Sequence, residues 1–293
     1  MLKAPLGDGS AAGWASQASL WTYTVSVRAA LANPFDGVPE AVRPYWLLAV
    51  EEHFYLVWPL VVARASRRGL AVTAAALVGS ALILRTAHVA WGGHALAAYA
   101  SLPARVDALG IGALVALAAR ELGGLARWRG YARPVQAASA LGFVALCAAA
   151  RSRFWAAAPI ATLGHTLLAL GSAALLVDVL TAPATSRLRG LLQSRIAGYV
   201  GARRYGMYIW HVTVVWGVAT AGREWRAPGR PHPLVTSLAL FAAYVGATLA
   251  VAELGRVIVE APFLTLKRRI PRPGAPSGSA ESVPPGGMTI RPS

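Results

Sequence analysis

Apolar blocks of about 20 residues, separated by short arginine-rich segments, run through most of this chain and constrain its fold more than any other feature. A helix rises 1.5 Å per residue, so about 20 residues match the roughly 30 Å hydrocarbon core of a bilayer. Backbone polar groups have no water to bond there, which makes helices the simplest form for such blocks. The blocks fall near Trp14 to Leu31, Pro44 to Ala63, Leu70 to Trp91, Arg105 to Ala119 and Pro134 to Ala150. Three more follow, near Ala158 to Thr181, Ile196 to Ala219 and Pro233 to Val259. An all-α polytopic transmembrane helix bundle of about eight spans is expected, and the composition agrees. Hydrophobic residues make up 56% of the 293 and charged ones only 14%, against roughly half and a quarter in soluble domains.

The net charge of +16 does not point to nucleic acid, because the basic residues lie between apolar blocks and do not gather on one soluble face. They read as charges that orient helices, with some attraction to anionic lipid. Taking alternate loops from Arg64 onward puts fourteen basic residues on one side and six on the other. That asymmetry predicts a plasma-membrane protein with both termini in the cytoplasm. Residues 1–266 are expected to form one membrane domain. The stretch 267–293, rich in Pro, Gly and Ser, reads as a disordered cytoplasmic tail. The single Cys147 excludes an internal disulfide and any cysteine metal cluster. No HExxH, CxxC, Gly-x-Ser-x-Gly, Walker or dinucleotide pattern occurs, so neither a metal nor a tightly bound cofactor is expected.

Polar residues inside the blocks are the candidate functional groups, because an intramembrane charge is costly unless it faces a polar interior. Glu51 and Glu52 interrupt the run YWLLAVEEHFYLVWPL about two turns from its start. Neighbours on a helix point about 100° apart, so one glutamate is expected to face the bundle centre beside Tyr55 and the other to bond a neighbouring helix. The alternative is that both only pair with buried arginines. Arg105 and Asp107 open ARVDALGIGALVAL, either as a local ion pair and helix-start charge or as a site. His211 sits mid-span in YGMYIWHVTVVW, as a hydrogen-bonding core residue or a functional one. His53, His165 and Asp178 read as structural, and His88, His94 and His232 as interfacial.

Four of these stretches resemble the integral membrane acyltransferase family 3, whose members O-acylate surface polysaccharides, peptidoglycan and macrolides. Trp46, Leu48, Ala49, Val50, Glu51, Glu52, Phe54, Tyr55, Leu56, Trp58 and Pro59 stand where that family has W-S-L-[AS]-V-E-E-Q-F-Y-L-L-W-P. Arg105, Asp107, Leu109 and Gly112 follow its R-x-D-x-L-x-x-G segment. Tyr205, Gly206, Tyr208, Trp210 and His211 are similar to S-Y-G-L-Y-L-W-H-x-P-V, and Glu260, Pro262 and Phe263 to the closing E-x-P-F. The matches keep the family's order from Trp46 to Arg269. Leu47, His53, Arg204 and Thr213 depart from the pattern.

The resemblance implies transfer of an acyl group, commonly acetyl, from acyl-CoA as co-substrate to a hydroxyl of a carbohydrate or macrolide acceptor. It implies Glu51, Glu52 and His211 as catalytic groups, with Tyr55, Arg105, Asp107, Tyr205, Arg203 and Arg204 binding substrate. Within that implication, a buried glutamate holds an imidazole in its productive tautomer, and Arg203 and Arg204 hold CoA phosphates. The family's first helix carries an arginine and a histidine taken as catalytic base, and nothing before Trp46 matches them. The chain is therefore expected to begin near the family's third helix, as an N-terminally incomplete domain. A proton-coupled transporter would also bury carboxylates and histidines, and an inactive remnant of the acyltransferase is the other alternative.

Overall fold

The computed structural model describes residues 18–19, 21–27, 45–93, 98, 100–150, 157–222 and 233–269. Nine α-helices and no strand occur among them: α1 Tyr45–Arg64, α2 Arg67–Ala90, α3 Val106–Ala119, α4 Arg129–Ala150 and α5 His165–Thr181. The others are the short α6 Arg187–Leu192, then α7 Arg195–Ala221, α8 Pro233–Gly255 and α9 Ala261–Arg269. A π-helical turn, Ile160–Gly164, leads into α5, and a second, Arg256–Glu260, joins α8 to α9. The all-α expectation therefore holds for the described residues.

Local chemistry sets the breaks. Ser66, Ser186 and Ser194 cap α2, α6 and α7, each accepting a hydrogen bond from the backbone N–H three residues on, and this satisfies one otherwise orphaned donor per helix. Gly123 and Gly124 take positive φ of 80° and 50° after α3, a left-handed bend that a residue with a Cβ resists.

Five helical stretches are long and apolar enough to cross a membrane: Tyr45–Arg64, Arg67–Ala90, Gly124–Ala150, Ile160–Thr181 and Leu234–Leu266. Eight spans are not reached among the described residues. α3 has only 14 residues, about 21 Å of helix. α7 has the length, with 27 residues, but is not among the five, and it carries Arg203 and Arg204 within its first half. Half of the span expected from Trp14 to Leu31 lies outside the described residues, as does all of the tail from 270 on; α9 itself runs to Arg269.

Helix α2 packs on α3, α3 on α5, and α4 on α5, while α7 and α8 pair with each other. Lipid tails are as apolar as leucine, so such contacts depend on close backbone approach over small residues. Gly110 of α3 lies so near α2 that a Cβ there would be 2.8 Å from the carbonyl oxygen of Ala74. Gly206 of α7 does the same against α8, with Ala252 Cα and Cβ at 3.2 Å. A buried cluster of Val25, Trp46, Ala49, Val50 and Ala100, flanked by Leu47, Leu102 and Leu109, holds the start of α1 to the start of α3.

Candidate functional site

The tightest polar node in the bundle forms around a residue that sequence reasoning passed over. Arg85, near the end of α2, is 0% exposed, and its carboxylate partner Asp107, in the first turn of α3, is 1% exposed. Arg85 Nη2 donates to Asp107 Oδ2 at 2.8 Å, and Thr166 Oγ1 of α5 donates to the same oxygen at 2.8 Å. Arg85 also donates through Nε to the carbonyl of Thr162 at 3.1 Å, through Nη1 to the carbonyl of Ala104, and through Nη2 to Thr166. Removing one partner of such a pair would strand a charge in apolar surroundings, so the five groups act as a unit. Asp107 stands in the first turn of α3, as a helix-start charge would, and it is ion-paired with Arg85 of a different helix.

Arg105 is placed elsewhere. Its guanidinium lies 5.7 Å from the centroid of the Trp46 ring, within cation–π range. It also lines a cavity of about 390 Å³ between α3 and α5, together with His165, Ser172 and the glycine of the RVDALGIG motif, Gly112. His165, read from the sequence as structural, thus faces the same cavity as Arg105.

A second group of predicted residues gathers around α1 and α7. Glu51 is half-buried and Glu52 exposed, and neither has a hydrogen-bond or ion-pair partner among the described residues. The expected bond from one of them to a neighbouring helix is therefore not formed there. Their charges act on Tyr55 of α1 and also on Tyr205 of α7, which Glu260 and Tyr23 reach as well. Tyr55 and Tyr205 are 55% and 54% exposed. The first, third and fourth sequence motifs are far apart along the chain, yet Glu51 and Glu52 of the first and Glu260 of the fourth all come within electrostatic reach of Tyr205 in the third.

His211 stands apart from this group. Its Nδ1–H donates to the carbonyl of Tyr208 at 2.5 Å, and its ring lies 5.5 Å from that of Tyr208. That bond occupies Nδ1 and leaves Nε2 as the other ring nitrogen. Arg203 bonds Glu253 of α8 through Nε, donates to the carbonyl of Tyr199 at 2.9 Å and stacks on the Tyr199 ring. Arg256 grips the other oxygen of Glu253 at 3.0 Å. Arg204 is exposed and, among the described residues, donates only to its own helix, at Gly201. Among the described residues no group of three or more His, Cys, Asp or Glu is placed to hold a metal ion.

Arg85 and Glu253 were the residues missed. Each had a signal, a charge inside an apolar run (ALILRTAHVA and AVAELGRVIV), but the partners on other helices, Asp107 and Arg203, lie 22 and 50 residues away along the chain, and only Arg256 is a local partner of Glu253.

Comparison with known proteins agrees with the motif order. YrhL of Bacillus subtilis (strain 168), whose name marks it as a candidate peptidoglycan O-acetyltransferase, is 28% identical over 186 residues, 61% of this chain. The aligned region is 29% of YrhL, so the chain spans well under half the length of that relative. No solved structure matches. The family model for acyltransferase family 3, described as an acyltransferase domain, matches residues 2–254 and so takes in the α1 motif, the buried Arg85–Asp107 node and the motif of α7 together. A match over that much of the chain means that this membrane protein belongs to acyltransferase family 3.

Proposed function

We propose that the chain is a membrane O-acyltransferase that moves an acetyl group from acetyl-CoA to a hydroxyl of a cell-wall glycan. Family membership supports the reaction class, and the name of the Bacillus subtilis relative supports a peptidoglycan-type acceptor in preference to a macrolide. The observation that supports the reading at the level of residues is the placement of Arg105 and Gly112, both from one family motif, on a single cavity of about 390 Å³ with His165.

In this reading the acceptor hydroxyl attacks the thioester carbonyl, the new C–O bond forms, the C–S bond breaks, and CoA leaves as the thiol. A base near neutral pH must take the hydroxyl proton, and donors must stabilise charge developing on the carbonyl oxygen. Glu51, Glu52 and His211 are the catalytic groups proposed. Tyr55 and Tyr205 offer hydroxyls and ring faces to the acceptor. Arg105 meets substrate directly, whereas Asp107 acts through Arg85 and Thr166. Arg204, exposed and without a carboxylate, is free for CoA phosphates, with Arg203 set beside it by Glu253. Both termini and the residues from 267 on lie in the cytoplasm, where acyl-CoA is supplied.

The full chain in lipid nanodiscs, given radiolabelled acetyl-CoA and peptidoglycan fragments, is expected to form an alkali-labile ester. Glu51→Gln and Glu52→Gln, compared at equal protein level, are each expected to lose transfer by roughly 100-fold or more. Full activity in both would remove the glutamates from the mechanism, and no ester formation by the parent chain on any hydroxyl acceptor would end the acyltransferase reading.

A further inference from the structure

Arg85 is fully buried, and its hydrogen bonds fall on the flanks of two other residues. It bonds the carbonyl of Ala104 and the carboxylate of Asp107, one residue before and two after Arg105. It bonds the carbonyl of Thr162 and the hydroxyl of Thr166, three residues before and one after His165. Arg105 and His165 line the same cavity of about 390 Å³ from its α3 and α5 sides. Thr162 belongs to the π-helical turn Ile160–Gly164, whose wider winding rotates everything after it, His165 first. Such turns are frequent at functional sites.

We infer that Arg85 is a positioning residue: it sets where Arg105 and His165 stand across the cavity between α3 and α5, so that the two meet acceptor oxygens of a substrate held there. The catalytic sense of this inference rests on the acyltransferase reading; the geometric sense does not. Stability alone gives a poor account of the node. A buried ion pair is often matched or bettered by apolar residues of similar volume, so its retention calls for another benefit. A guanidinium supplies that benefit, because its five N–H groups lie in one rigid plane and fix several acceptors at once. Lysine, with one point charge on a flexible stem, holds the charge without the geometry.

The test replaces the pair by apolar side chains. The double variant R85M/D107L removes both charges together and is expected to unfold within a few degrees of the parent. For the geometric arm, the cysteine pair R105C/H165C is built in a C147S background, with Arg85 and Asp107 either kept or replaced. The full chain in nanodiscs is then treated with a short bifunctional thiol reagent. Cross-linking is expected when the node is intact and to fall roughly tenfold in R85M/D107L. Equal yields with and without the node would overturn the inference. For the catalytic arm, with Arg105 and His165 kept, R85M/D107L is expected to lower kcat for acyl transfer by roughly 100-fold, as small misplacements of catalytic groups do, with KM for acetyl-CoA little changed. R85K should not restore it. The milder T166V, which keeps volume and removes one bond to the guanidinium, is expected to reduce both cross-linking and kcat partway, so misfolding of the double variant leaves the question decidable. Parent-level kcat in T166V and R85M/D107L would refute the positioning role. A parent chain that transfers no acyl group but shows node-dependent cross-linking would refute the acyltransferase reading and uphold the positioning.

Discussion

Substituting Gly110 by alanine tests the packing that brings Arg85 to Asp107. A Cβ at this point of α3 would meet the Ala74 carbonyl oxygen at 2.8 Å, Val78 Cγ2 at 3.1 Å and Leu77 Cβ at 3.4 Å, all on α2. Carbon–oxygen contacts settle at about 3.3–3.6 Å, so the overlap is roughly half an ångström. The carbonyl belongs to the backbone in the middle of α2 and cannot swing aside as a side-chain end does, so the two helices must move apart. That movement strains the Arg85–Asp107 pair, which joins the same helices. Overpacking of this kind costs about 1–3 kcal/mol, and alanine in place of glycine in a helix interior recovers about 1 kcal/mol, so G110A is expected to lose up to about 2 kcal/mol net. Gly79 of α2 is the control, because a Cβ there would meet nothing within 4 Å. G79A keeps the propensity gain without the clash and is expected to gain up to about 1 kcal/mol. For a chain of this size each kcal/mol moves the unfolding midpoint by about 2–4 °C, so thermal unfolding in one detergent, followed by far-UV circular dichroism, should place G110A several degrees below G79A. A G110A protein as stable as G79A would show that close approach at Gly110 does not hold α2 to α3.

Two other perturbations probe the ends of helices and the seat of Arg105. S194A removes the hydroxyl that accepts from Ala197 N–H at the start of α7 and is expected to cost about 1 kcal/mol, read as a lower unfolding midpoint; S194D, which keeps an acceptor, should not show the loss. W46L keeps the buried position apolar but removes the ring 5.7 Å from the Arg105 guanidinium, at an expected cost of about 0.5–2 kcal/mol beyond that of W46F, which retains a ring face. Equal stability of W46L and W46F would mean that the ring face contributes nothing to holding Arg105.

Helix positions were legible because their causes are local. The blocks read at Pro44 to Ala63, Leu70 to Trp91 and Ile196 to Ala219 became α1, α2 and α7 within a few residues of the expected ends, with Ser66 and Ser194 closing the caps. The family motifs were legible for the same reason, as contiguous strings. The partner of Asp107 was not, since nothing in RVDALG states that an arginine 22 residues earlier lies opposite it. Nor was the state of the glutamates: helical phase says that the two point apart but not which of them is half-buried, and the bond to a neighbouring helix expected for one of them is not formed among the described residues.

The sequence by itself determined the solvent and the class of fold, since runs of apolar residues of bilayer length permit helices and little else, and it determined the family through the order of four motifs. Only the tertiary structure decided which charges meet. Whether Arg85 reaches Asp107, or Arg203 reaches Glu253, depends on where helices cross and how closely, and the close approaches at Gly110 and Gly206 bear on both. The physical reason is a difference of range. Helix formation is governed by hydrogen bonds four residues apart and by the medium around one segment. The pairing of a buried charge is governed by groups brought within about 3 Å across the bundle, and its energy exists only once the packing that excludes water is complete.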